Sequence, residues 1–500
     1  MGIAQLRALL SDLPRRAVFL LGCATAVAAG AAIALEGSIL RKAAVFVLLF
    51  ALIWVVAGSV RNPLAPVVGY IYLIPFLNVA REAGAITAGP LTLTPAMMFL
   101  GLVVAVTYIS LSRHRTPSGG ALVGKSKVLL GVVVTGGLIA TVAGPLSNDT
   151  DLGLALSLFL DGVVLPALLF FVVLRAEPSI ADTRRVAGAV VISACIAVAL
   201  GLVLRAAGIG PIGVIQPGAD PVVVAGLLRQ QATFTFGNPN DFGLVAALVL
   251  PVALTLAVTA GGIGRALWLF AFVIILVAAI YTFSRGTMAG IALGFLAMSL
   301  MNKGMRRLAI GLAALTTLVL ALLPSVVPVI LARFTQAGML ESEPVVDRAR
   351  AAVLSLRIIV TQPFGVGPGG FSQQWVKAGL GVPILQSPHD LLLGVAVEYG
   401  IAAGLAFAIW VAIVIWTGSR HLRQGNVLLV GLVAGAFSFV FTGTATGWEL
   451  SHRAGLVPLG TPTHLFFVVI ALLVLLAREI PAAEAITLGD SKHASPLPNF

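Results

Sequence analysis

Apolar stretches of bilayer length recur along the chain, separated by short polar breaks. A helix needs about 17 to 25 apolar residues to cross the hydrocarbon core. Fourteen such runs stand out, at 17–35, 43–60, 63–80, 93–112, 128–146, 153–174, 186–207, 241–261, 266–283, 286–302, 308–332, 389–417, 425–442 and 461–477. The pattern predicts an all-α, polytopic integral membrane protein of about 14 transmembrane helices, with about 12 as the lower bound where neighbouring runs merge. The stretch 266–302 must break, because 37 residues of helix would reach about 55 Å at roughly 1.5 Å per residue. Ser284-Arg285-Gly286 is the polar interruption there. The first run follows Arg15 and Arg16 and is longer than a signal-peptide core, so an uncleaved first helix is expected.

Composition agrees with this pattern and narrows the function classes. Hydrophobic residues make up 59% and charged residues 10% of the chain, with a mean hydropathy of +1.07, which excludes an ordinary soluble globular protein. Cys23 and Cys195 both fall in apolar runs, which argues against a disulfide framework or a cysteine-ligated metal. The six histidines are scattered without ligand spacing, so neither metal nor cofactor is expected. In so apolar a chain the net charge of +12 fits loops facing anionic lipid headgroups rather than nucleic acid.

Placing the N-terminus in the cytoplasm puts 19 of the 31 basic residues on that side, as the positive-inside rule requires. Both termini are then cytoplasmic, residues 479–500 are expected to be a disordered cytoplasmic tail, and residues 1–478 form one transmembrane domain. The longest polar segment, the 56 residues 333–388, becomes an outer loop carrying Arg333, Arg348, Arg350, Arg357 and Lys377. Positive charge on that side points to an anionic ligand. Within the loop, Pro344 opens a helical pattern with Val345, Val346, Ala349, Val353, Leu356 and Val360 on one stripe, expected to lie flat on the membrane. At about 100° per residue, Arg350 and Arg357 share one edge of that stripe and Arg348 the other. Four glycines then fall within Gly365-Val366-Gly367-Pro368-Gly369-Gly370. They read either as a flexible connector or as a loop that brings amides close to a ligand.

The ordered motifs are Arg229; Phe236-Gly237-Asn238-Pro239-Asn240; Ser284-Arg285-Gly286; Arg348, fifteen residues before Pro363; Gly365-Val366-Gly367; and His389 leading into a helix with Glu398-Tyr399-Gly400. The set resembles the bacterial O-antigen ligase and O-antigen polymerase superfamily over roughly residues 225–405. That resemblance implies a glycosyltransferase of the bacterial cytoplasmic membrane with its active site on the periplasmic or outer face. The donor would be a glycan on a polyprenyl diphosphate carrier of the undecaprenyl type, and the acceptor a glycan or lipid-linked glycan. It also implies that Arg285 and Arg348 hold the diphosphate, with Arg229 a weaker ligand, and that His389 acts as base. Asp390 stands where the family has asparagine after the histidine, and Gly365, Gly367 and Asn240 are carried along as supporting positions.

The residue types suit that chemistry. Guanidinium groups neutralise a diphosphate leaving group through forked hydrogen bonds without a metal ion, and a neutral imidazole takes the proton of an attacking sugar hydroxyl. Attack opposite the diphosphate would invert the anomeric centre. Each residue also has a structural alternative. Arg285 could snorkel to headgroups, and Arg348 could border an interfacial helix. Asp390 could cap its helix, Asn240 or Asp241 could cap theirs, and Glu398, about 13 Å along its helix, could make a buried hydrogen bond. A secondary transporter or flippase of lipid-linked sugars is the alternative function, disfavoured because only Asp161 and Glu398 lie clearly inside spans and the halves do not repeat.

Overall fold

The computed structural model describes residues 62–79, 86–88, 91–112, 120–148, 151–206, 222–224, 227–229, 232, 234–236, 238–307, 311, 343–380, 388, 390–424, 426–446, 453–454, 457–458 and 461–477. The apolar runs 17–35 and 43–60, the run 308–332 apart from residue 311, the tail 479–500 and His389 lie outside them. In chain order the helices are α1 (Ala65–Val79), α2 (Pro95–Ser112), α3 (Ala121–Asn148), α4 (Leu152–Phe159), α5 (Leu165–Arg175), α6 (Ile180–Ala206), α7 (Pro239–Thr259), α8 (Gly262–Tyr281), α9 (Arg285–Met301), α10 (Glu343–Thr361), α11 (Phe371–Lys377), α12 (Leu391–Tyr399), α13 (Ile401–Arg420), α14 (Val427–Thr446) and α15 (Thr461–Leu476). Three short antiparallel hairpins join helices: β1–β2 (Ile86–Ala88, Leu91–Leu93), β3–β4 (Val222–Val224, Leu227–Arg229) and β5–β6 (Arg453–Ala454, Val457–Pro458).

Among the described residues, seven helical stretches are long and apolar enough to cross a membrane, and four shorter apolar helices accompany them. The protein is therefore a multi-pass, all-α membrane protein. The expected interruption of 266–302 is present: α8 ends at Tyr281 and Ser284 caps α9, so Arg285 and Gly286 already lie in the first turn of α9.

Helix α7 forms the axis of one half of the bundle, buried over most of its length between α6, α8, α9 and α14. Small residues let these backbones meet, as packing inside a membrane demands. A Cβ at Gly435 of α14 would run into the Leu248 carbonyl of α7, one at Gly431 into Thr255, and one at Gly290 of α9 into Thr442 of α14. Ser438 donates its hydroxyl to Gly290 O at 2.6 Å across the same seam.

A second polar seam closes around α15. The run 153–174 is one span with a π turn at Leu160–Val164 between α4 and α5. His464 Nε2 lies 2.9 Å from Asp161 O and 3.4 Å from Asp161 Oδ1 in that turn, while Tyr70 hydrogen-bonds His464 Nδ1. A carbonyl can only accept, so Nε2 donates to Asp161 O. Asp161, one of the two acids expected inside spans, thus sits in a buried tie between α1, the π turn and α15.

The run 389–417 differs from its expectation as one helix. It breaks at Gly400, which has φ 90° and separates the nine residues of α12 from the twenty of α13. Unbroken, its 29 residues would span about 43 Å.

Candidate active site at one end of the bundle

Three helix N-termini and one C-terminus meet at one end of the bundle. At the start of α7, Asn238 is the cap, accepting from Asn240 N at 2.8 Å, and Pro239 occupies the first helical position. The cap is therefore neither Asn240 nor Asp241, because Pro239 at the first helical position fixes the cap at Asn238, two residues before the first of them. Asn240 instead reaches across to α9, where its Oδ1 accepts the Ser284 hydroxyl at 2.8 Å, and Ser284 in turn caps α9 by accepting from Thr287 N. The Asn-Pro-Asn and Ser-Arg-Gly motifs, forty-four residues apart, are thus locked to each other through their side chains.

Arg285 follows that cap and is half-buried. A cation in the first turn of a helix opposes the macrodipole, so its position serves something other than the stability of α9. Arg348 reaches the same end from α10, where its Nη1 donates to Ala445 O in the last turn of α14 at 3.4 Å. That contact uses a carbonyl which a helix end leaves unsatisfied. Burial above all, and then the charge of Arg285, holds the Arg348 guanidinium below its ordinary pKa. The fold therefore brings together the two arginines that the sequence separates by 63 positions. Helix α12 starts beside them. A Cβ at Gly443 of α14 would lie 3.3 Å from Leu391 Cβ, and Asp390 caps α12 by accepting from Leu392 N at 2.8 Å and Leu393 N at 2.9 Å.

Helix α10 has two apolar faces. The expected stripe is largely exposed, with Val353 at 69%, Leu356 at 57% and Val360 at 81%. The nearly opposite face, Ala351, Leu354 and Ile358, packs with Val366, Phe371, Trp375 and Val397 into a second, smaller core. Arg350 and Arg357 are exposed, Arg350 pairing with Asp347 at 3.3 Å, whereas Arg348 turns toward the bundle.

The Gly-rich turn is neither a loose connector nor a row of open amides. Gly365, Gly367 and Gly369 all have positive φ, and the turn is bonded into the break between α12 and α13. Val366 N donates to Val397 O at 2.9 Å, Gly367 N to Glu398 O at 3.1 Å, and Ile401 N to Pro363 O at 3.0 Å. The carbonyls released by the break are those the turn satisfies. Gly365 N is likewise engaged, donating to Gln362 O at 2.9 Å. Glu398, 1% exposed, adds its carboxylate, which accepts from Gly369 N at 2.8 Å. Its expected buried hydrogen bond is therefore present. What the sequence pattern did not show is the partner, although an over-long apolar run ending its first third in Tyr399-Gly400 marks the break.

Residues 270–408 match the family model described as O-antigen ligase. This segment is similar to the O-antigen ligase family. The match runs from α8 into α13 and contains Arg285, Arg348, Gly365, Gly367, Asp390 and Glu398, with Asn240 and Arg229 preceding it. It supports the resemblance carried by the motifs and a role in membrane glycan transfer. Among curated proteins, none matches the chain. Of the expected site residues, Arg229 is described only as backbone at the end of β4, and His389 lies outside the described residues.

Proposed function

We propose that the protein transfers a glycan from a polyprenyl diphosphate carrier to a sugar hydroxyl on the outer face of the cytoplasmic membrane, as a polymerase or ligase of surface polysaccharide. The observation that carries this is the convergence of Arg285 and Arg348, close enough for one charge to act on the other, where α7, α9 and α12 begin. Two guanidinium groups whose charges act on each other are stabilised by an anion that binds both, and helix N-termini add to that preference.

In the reaction, the acceptor oxygen attacks the anomeric carbon and a new glycosidic C–O bond forms. The C–O bond to the diphosphate breaks, and its electron pair leaves on the phosphate oxygen. Arg285 and Arg348 neutralise the growing charge, with Arg229 a weaker contact. His389 takes the hydroxyl proton, and attack opposite the leaving group inverts the anomeric centre. Asn240 positions Arg285 through Ser284, Gly365 and Gly367 shape the turn below α10, and Asp390 fixes the start of the helix that follows His389. The exposed stripe of α10 lies against lipid, with Arg350 and Arg357 at headgroup phosphates.

The test is purified protein in detergent, given a polyprenyl-diphosphate glycan and an acceptor. Transfer that inverts the anomeric configuration and disappears in His389→Ala supports the proposal. No transfer, together with movement of the lipid in sealed vesicles, would identify a flippase instead. A ladder of products marks a polymerase, and a single addition per acceptor marks a ligase.

A further inference from the structure

We infer that Glu398 is a positioning residue for the diphosphate site: its buried carboxylate sets the placement of Arg348 by holding the Gly-rich turn in the break between α12 and α13. This rests on the proposed diphosphate role of Arg348. The chain of contacts is continuous. Glu398 Oε1 accepts from Gly369 N at 2.8 Å while Glu398 O accepts from Gly367 N at 3.1 Å, so one residue grips the turn at two points. The turn continues directly from α10, with Gln362 N donating to Ile358 O at 2.7 Å. Val366 of the turn then packs in the same small core as Ala351, Leu354 and Ile358 of α10 and Val397 of α12. Arg348 stands one turn of α10 before Ala351.

The other apolar face of α10 is open, so its height is set from this small core. The grip also leaves little slack. A Cβ at Gly365 would come 2.6 Å from Glu398 O, and one at Gly400 2.8 Å from Pro363 O. From the far side, Gly144 of α3 abuts the Val366 carbonyl. A carboxylate buried at the C-terminal end of a short helix gains nothing from the macrodipole and bears a desolvation cost. A glutamate there is explained by the amide it holds.

The experiment measures the affinity of full-length protein in detergent for undecaprenyl diphosphate in the wild type, Arg348→Ala, Glu398→Ala, Glu398→Gln and the Glu398→Ala/Arg348→Ala double variant. Loss of one charge-assisted contact weakens binding about ten- to hundredfold. Arg348→Ala and Glu398→Ala should each fall in that range, the double variant should be no weaker than Arg348→Ala alone, and Glu398→Gln, which keeps an acceptor for Gly369 N, should stay within about twofold of wild type. Wild-type binding by Arg348→Ala would remove the diphosphate reading itself. Wild-type binding by Glu398→Ala beside a weakened Arg348→Ala, or multiplicative losses in the double variant, would overturn the role of Glu398 alone. Where Glu398→Ala does not fold, Glu398→Asp, one methylene too short to reach Gly369, carries the same comparison. Failure of both to fold, with Glu398→Gln intact, would make Glu398 a folding residue and overturn the proposal.

Discussion

Arg285 stands in the first turn of a helix, where a positive charge costs about 0.3 to 1 kcal/mol. A residue kept against the local field is one that can be removed without loss of stability. Arg285→Ala should lower glycan transfer by about ten- to hundredfold, the equivalent of one charge-assisted contact, while the melting temperature in detergent holds within a few degrees. A melting temperature that drops in step with activity would make Arg285 structural. Arg350 and Arg357 supply the comparison, since both are exposed on α10. Replacing either by Ala should leave transfer within about fivefold, because an exposed charge contributes at most about 1 kcal/mol. The sequence distinguished these arginines by helical angle and motif order. It did not show that Asn240 and Ser284 are hydrogen-bonded, since contact between residues forty-four apart depends on how α7 and α9 pack.

At the scale of elements, the break at Gly400 organises the site. Its φ of 90° is a conformation that costs other residues about 1 to 3 kcal/mol, and a Cβ there would press on the Pro363 carbonyl. Gly400→Ala should therefore displace the turn and reduce transfer more than it reduces stability. Limited proteolysis within 363–370, set beside the melting curve, would check this; a turn as resistant as the wild type's would contradict it. Apolar runs of bilayer length placed nearly every described helix, because burial in lipid or protein demands an apolar residue at each exposed or packed position. The same property hid the break, since α12 and α13 are both apolar and only run length separates two helices from one. On α10 the pattern found the apolar stripe, but packing turned the nearly opposite face inward, toward Val366, Phe371 and Trp375. Both faces are apolar, so periodicity could not choose between them.

Across the whole molecule, the glycine seams between α7, α9 and α14 hold the ends that carry Asn240, Arg285 and Ala445 in fixed relation. Gly435→Leu would force α14 away from the Leu248 carbonyl; overpacking of this kind costs about 1 to 3 kcal/mol. It should lower the melting temperature and weaken transfer together, and an unchanged melting temperature would argue against close packing there. The charge asymmetry that first suggested an outer anionic ligand resolves into two arginines at one bundle end, supported by a turn and a buried glutamate. Whether that pair acts in glycan transfer decides the proposed function. The most direct measurement is the rate of transfer from a polyprenyl-diphosphate glycan by purified Arg348→Ala protein beside the wild type. A fall of about ten- to hundredfold with the fold intact is the expected result, and an undiminished rate would contradict it.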